Sequence, residues 1–173
     1  MVCMDAAKSK GSGSEEWALA HEALSVLSRR RAELDADEGR ALLRAVRAGT
    51  HLHLGFATFA EYVERLFGLG RRAVEEKLRV AVALEKLPVL GLALREGALS
   101  WSAVRELSRV ATAETEREWL GIARGKTARE VERFVSGLGP GDRPADPRRS
   151  EFVRHVLRFE VSAETHVLSR PLV

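Results

Sequence analysis

The chain has 173 residues, 28 lysines and arginines against 25 acidic residues, a formal net charge of +3 and a 45% hydrophobic content. That length holds one ordinary helical or mixed domain with tails, and the near balance of charge permits an anionic partner without demanding one. A single cysteine, Cys3, excludes an internal disulfide framework and a Cys-rich zinc site, and no apolar run is long enough to span a bilayer.

Residues 1–13 lack the apolar core of a signal peptide, so they read as a flexible tail, with Met4 as an alternative start, on a cytoplasmic, bacterial-type protein. A helix is predicted to begin near Ser14, whose hydroxyl suits a cap, and to run through Leu19, Leu24, Val26 and Leu27 to the basic cluster Arg29-Arg30-Arg31. This first helix is either a partner-facing arm or plain scaffold. A second is predicted from Ala36 to Ala48, with Leu42, Leu43 and Val46 on its buried side and Gly49 as its stop.

The most informative stretch is Phe56 to Leu87, where two helical patterns meet at Gly68-Leu69-Gly70. Phe59, Tyr62, Val63 and Leu66 keep helical spacing before this corner, and Ala73, Val74, Leu78, Ala81 and Leu84 keep it afterwards. Glycine supplies the positive φ that such a corner needs. The outline is a helix-turn-helix whose second helix opens with Arg71 and Arg72 and carries Lys77 and Arg79, the cations that a recognition helix presents to phosphates and base edges. Glu61, Glu64, Glu75, Glu76 and Glu85 lie among them at spacings that also allow ion pairing along a solvated face.

Pro88 ends that second helix, and a short helix follows from Val89 to Glu96. Gly97-Ala98-Leu99-Ser100 makes another corner, with Ser100 capping a helix that carries Trp101, Val104, Leu107 and Val110. Thr112 is the predicted cap of a helix holding Trp119, Leu120 and Ile122, and Thr127-Ala128-Arg129-Glu130 is a capping box before Val131, Phe134 and Val135. These corner-joined pairs share no period or consensus, which favours compact packing over a solenoid.

Three prolines and three glycines between Gly137 and Pro147 predict an extended linker, placing a domain boundary there. Beyond it His155, Leu157, Phe159 and Val161 alternate with Val156, Arg158 and Glu160 as a strand without a visible partner, followed by the start of a helix cut short at Pro171. The expected fold is therefore all-α, a compact multi-helix domain with helix-turn-helix-like corners, then a linker and one orphan β-strand. Its divisions are a tail at 1–13, a helical domain at 14–136, a linker at 137–150, and at 151–173 a strand beginning a truncated second domain.

No catalytic or metal-binding constellation can be assembled. His51 and His53 form the one close histidine pair but sit at a helix boundary, and His21, His155 and His166 lie on separate elements. Trp17, Trp101 and Trp119 occupy amphipathic contexts that read as packing rather than base-stacking platforms. Gly121-Ile-Ala-Arg-Gly-Lys-Thr127 lacks the glycine spacing of a phosphate loop and follows a helix rather than a strand, so a nucleotide site is rejected.

Three stretches carry a family likeness: LGFATFAEYVERLFGLGRRAVEEKLRVAVALEKLP, ALREGALSWSAVRELSRVATAETEREWLGIARGKTAREVERFVSG, and PGDRPADP followed by RHVLRFEVSAETH. Together, over roughly residues 34 to 168, they resemble the N-terminal, DUF222-like helical region of bacterial HNH endonucleases, most like deltaproteobacterial forms. The resemblance implies association with double-stranded DNA. In that family the nuclease motif lies well beyond the helical region, and the divalent metal belongs there. No HNH cluster occurs in this chain, which is therefore expected to be a truncated or split product with no cofactor and no enzymatic activity of its own.

The preferred expectation is a DNA-associating helical module with Arg71, Arg72, Lys77 and Arg79 as its contacts and no membrane partner. Two alternatives stay open. One is a helical module for protein–protein interaction or homo-oligomerisation, including pairing with a separate nuclease. The other is a DNA-binding regulator, since ALREGALSWSAVRELSRV also looks like the helical DNA-binding region of ParB proteins.

Overall fold

A computed structural model describes residues 12–152 of the chain. Among these residues the fold is all-helical, with eight α-helices and one 3-10 turn. They are α1 (Ser12–Arg47), α2 (Thr50–His53), α3 (Phe59–Phe67), α4 (Arg71–Leu84), α5 (Pro88–Arg95), α6 (Trp101–Leu107), α7 (Glu116–Ala123) and α8 (Ala128–Val135), then Ser150–Phe152 as the 3-10 turn. Of the tail expected at 1–13, residues 1–11 lie outside the described residues, as does the strand at 153–161, while Ser12 and Gly13 belong to α1.

The two helices predicted before Gly49 are one helix of 36 residues, so Ser14 lies inside α1 rather than capping it. Arg29-Arg30-Arg31 suits a helix end, but no glycine or proline follows it directly, and Ala32-Glu33-Leu34-Asp35-Ala36 are residues a helix runs through without interruption. Gly49, at φ 64°, does stop the helix. The caps expected at Ser100 and Thr127 are present, and Thr58 caps α3 in the same way without having been singled out: each hydroxyl accepts the N–H three residues on, from Ala103, Glu130 and Glu61. At α8 the Glu130 carboxylate accepts the Thr127 N–H in return at 2.8 Å, completing the capping box.

Two starts differ from expectation. The helix holding Trp119 begins at Glu116 with Thr115, not Thr112, at its N-cap, and the Thr112 carbonyl accepts the N–H groups of both Thr115 and Glu116. Pro88 does not merely end α4; it occupies the first turn of α5, where its fixed φ and missing N–H cost nothing. The donors of that turn find a partner far away in sequence. The buried carboxylate of Glu116 accepts the Val89 and Leu90 N–H groups at 3.0 and 3.2 Å, so α7 caps α5.

The principal core gathers Val80 of α4, Leu90 and Leu94 of α5, Val104 and Leu107 of α6, Trp119 and Ala123 of α7, and Val131 and Val135 of α8. Trp119 is fully buried and donates its indole N–H to the Asp142 carbonyl at 3.0 Å. A second cluster joins Leu42 of α1 to Phe59, Val63 and Val74. Only the second half of α1 takes part in these cores. Ala32, Ala36, Leu42 and Leu43 are buried, whereas residues 15–24 are exposed throughout.

The segment predicted as an extended linker is folded back on the helices. Gly137, Leu138 and Gly139 are buried, the Gly141 N–H donates to the Val110 carbonyl, and the Arg149 N–H donates to the Gly137 carbonyl. Asp142 accepts the Gly139 N–H and pairs with Arg149; these bonds, led by that backbone donor, hold its carboxyl below the ordinary aspartate range. Proline and glycine forbid helix here but not close packing, and Trp119 provides the surface on which the turns settle.

Candidate nucleic-acid interface

The α3–α4 corner forms as its residues dictate. α3 closes at Gly68, whose φ of 69° is left-handed and whose N–H returns to the Glu64 carbonyl at 2.8 Å. Leu69 tucks against Phe59, Val63 and Val74, and Gly70 leads into α4 in extended geometry. Gly70 has no side chain to cap α4, so the first-turn donors beside Arg71 and Arg72 are open to water or an anion. Leu66 and Ala73, predicted to face inward, are exposed instead, and Val80 replaces them in the core.

The four cations expected to act together are divided by the packing of α4. Arg71 and Arg72 project from its first turn; Arg71 is 82% exposed and pairs with Glu75 at 2.8 Å, one helical turn on. Among the described residues Arg72 has no acidic partner. Lys77 points the other way, into α1. Its side chain is 13% exposed, its ammonium lies 3.3 Å from Asp35 and 3.1 Å from Glu38, and the Trp101 ring centre is 5.2 Å away. Arg79 turns toward α6, donating to the Ser108 hydroxyl and the Arg105 carbonyl and pairing with Glu76 at 2.8 Å. Those bonds from Arg79 hold the Glu76 carboxyl below its ordinary range.

Lys77 and Arg79 are thus tethers between helices, and only Arg71 and Arg72 present charge outward. Arg65 of α3 is also exposed, and the acidic Glu61, Glu64 and Glu75 lie on the same two helices. The helix periodicity that singled out all four cations cannot tell which sides of α4 the neighbouring helices will cover.

A second basic surface was not singled out from the sequence. A groove of about 960 Å³ runs between the C-terminal half of α1, the end of α4 and α5. Arg40, Arg44 and Arg47 line one wall, Arg95 the other, and Leu43, Leu84 and Leu92 contribute its apolar lining. Arg40 pairs with Asp37, and Arg47 meets Glu85 through two bonds of 2.6 and 2.7 Å, which hold the Glu85 carboxyl below its ordinary range. Arg44 and Arg95 have no acidic partner among the described residues. The signal was legible as arginines at i, i+4 and i+7 in Arg40-Ala-Leu-Leu-Arg-Ala-Val-Arg47, a row along one helix face.

The remaining candidates are dispersed. His51 is half-buried on α2 with its ring edge-on to Phe59 at 5.7 Å, and His53 is exposed; two helical residues two apart point to different sides. Among the described residues no group of three His, Cys, Asp or Glu side chains is placed to hold a metal ion. Trp119 is core, Trp101 is half-buried under Lys77 and Arg105, and Trp17 stands out in solvent. No described helix is long and apolar enough to cross a membrane. No family model, curated protein or solved structure matches this chain.

Proposed function

We propose that this chain is a DNA-associating helical module that holds duplex DNA through its phosphates, as the helical part of an HNH-nuclease-like system whose chemistry resides outside these residues. The observation that carries this reading is the first turn of α4, which has no side-chain cap and where exposed Arg71 and Arg72 stand at the corner between α3 and α4. A recognition helix contacts DNA chiefly through its N-terminal residues, so an end-on approach needs no more of α4 than its first turn. Arg44 and Arg95 supply further cations for sugar–phosphate contact along the groove. Lys77 and Arg79 drop out as contacts, because displacing Lys77 would break its ion pairs to α1 and displacing Arg79 would break its hydrogen bonds to Arg105 and Ser108.

Binding of this kind is electrostatic and releases counterions, with about 0.9 units of salt slope for each phosphate neutralised. Arg71→Ala/Arg72→Ala is expected to weaken affinity for a mixed-sequence duplex and to lower that slope by about 2, read by fluorescence anisotropy across a salt series. An unchanged slope and affinity would remove the corner from the interface. A preference for one operator-like sequence would instead favour the regulator reading. The interaction-module reading draws on a separate observation, the exposed leucines of α1.

A further inference from the structure

The first half of α1 keeps its helix well away from the core, yet it is not a polar helix. Trp17, Leu24, Leu27 and Leu34 are 63%, 67%, 58% and 67% exposed. With Ala20 and Arg31 they occupy positions 17, 20, 24, 27, 31 and 34, alternating steps of three and four that mark a coiled-coil seam. Beside Arg29 the body of the molecule lies behind this seam, and past Leu34 the seam ends where Lys77 of α4 covers Glu38, the next position in the series. Arg29, on the opposite side of the helix, rests so closely on the α5–α6 corner that a Cβ at Gly97 would lie 2.7 Å from its Cγ.

We propose that this stripe is a self-association surface, on which α1 of a second copy packs antiparallel about a two-fold axis between residues 25 and 26. The spacing is self-complementary. Every facing pair then sums to 51: Trp17 meets Leu34 of the other copy, Leu24 meets Leu27, and small Ala20 meets long Arg31. That is the layer pattern of an isologous helix pair, in which each contact occurs twice.

Charge decides the direction. A parallel pair would stack Arg29-Arg30-Arg31 of both copies at one level, with Arg31 facing Arg31 in the seam. The antiparallel register sets them opposite Glu22, His21 and Ala20, so each cationic cluster meets an uncharged or acidic stretch. The area is sufficient. At about 100 Å² per leucine and somewhat more for tryptophan, the two stripes remove roughly 1,000 Å² of apolar surface from water, the lower bound of a specific interface, before flanking residues are counted. This pairing needs no DNA contact, so it stands or falls apart from the proposed function.

The full chain is expected to sediment at twice its 19.1 kDa at micromolar concentration. Leu24→Glu/Leu27→Glu is expected to return it to the monomer mass with helical circular dichroism and melting of the body unchanged, since both residues are outside the cores. Direction is read by cross-linking in a Cys3→Ser background. Trp17→Cys and Leu34→Cys chains, mixed and oxidised, are expected to form a mixed disulfide while neither forms one alone, because antiparallel helices hold the two copies of residue 34 about 25 Å apart. A monomeric wild-type chain, a charge variant that still dimerises, or self-linking of Leu34→Cys would each overturn the antiparallel pairing.

Discussion

Lys77 is where a DNA contact and an internal tether make opposite forecasts. Its ammonium sits 3.1 and 3.3 Å from two carboxylates of α1, with a side chain only 13% exposed and partners 22–25% exposed. Removing one member of a fully buried pair costs about 3–5 kcal/mol, mainly through the charge left behind. Water reaches Asp35 and Glu38 in part, which brings the expectation down to about 2–3 kcal/mol, including roughly 0.5 kcal/mol for contact with Trp101. Lys77→Met is therefore expected to lower the urea midpoint with an unchanged m-value, while the folded fraction keeps its salt slope for DNA. Adding Asp35→Asn and Glu38→Gln, which removes the stranded charges, is expected to recover most of the loss. A loss of stability below about 0.5 kcal/mol together with a tenfold drop in DNA affinity would refute the tether and return Lys77 to the DNA surface.

Three other perturbations probe the same framework. Glu116→Ala leaves two first-turn donors of α5 without their charged acceptor and is expected to cost about 3 kcal/mol in chemical denaturation, against about 1 kcal/mol for Glu116→Gln, which keeps an acceptor oxygen. Gly97→Ala combines a φ of 71° with a Cβ 3.0 Å from the Arg29 backbone, so about 2–3 kcal/mol is expected, with a rise in hydrogen exchange along the first half of α1. The Glu76 carboxyl titrates below its usual 4.5 because Arg79 donates to it, so its contribution is present above that pH and is lost as pH falls through the lower native value. Glu76→Gln is expected to flatten the acid limb of the melting-temperature profile there and to leave the change from pH 6 to 8 as it was.

Local chemistry was legible where it is local. Ser100 and Thr127 cap the helices assigned to them, and Gly49, Gly68 and Gly97 turn where a left-handed residue is needed. A basic cluster resembles a helix end, yet a helix ends only where the backbone leaves helical geometry: Gly39 stays helical and faces Ala81 of α4, whereas Gly49 adopts a positive φ. What the sequence withheld is tertiary. Glu116 caps a helix 26 residues earlier, and nothing in the spacing of either segment signals it. The cationic set at α4 was divided for the same reason: amphipathic periodicity finds the buried stripe, but the directions taken by Lys77 and Arg79 depend on where α1 and α6 come to lie. The arginine row of α1 had a readable spacing, and its meaning emerged only with α5 across the groove.

The most direct measurement is the affinity of the purified wild-type chain for a mixed-sequence DNA duplex, by fluorescence anisotropy from low to physiological salt. If Arg71, Arg72, Arg44 and Arg95 each meet a phosphate, the logarithm of the association constant falls linearly with the logarithm of salt concentration, with a slope of about −3 to −4. No binding at the lowest salt, or an affinity indifferent to salt, would contradict a phosphate-holding module.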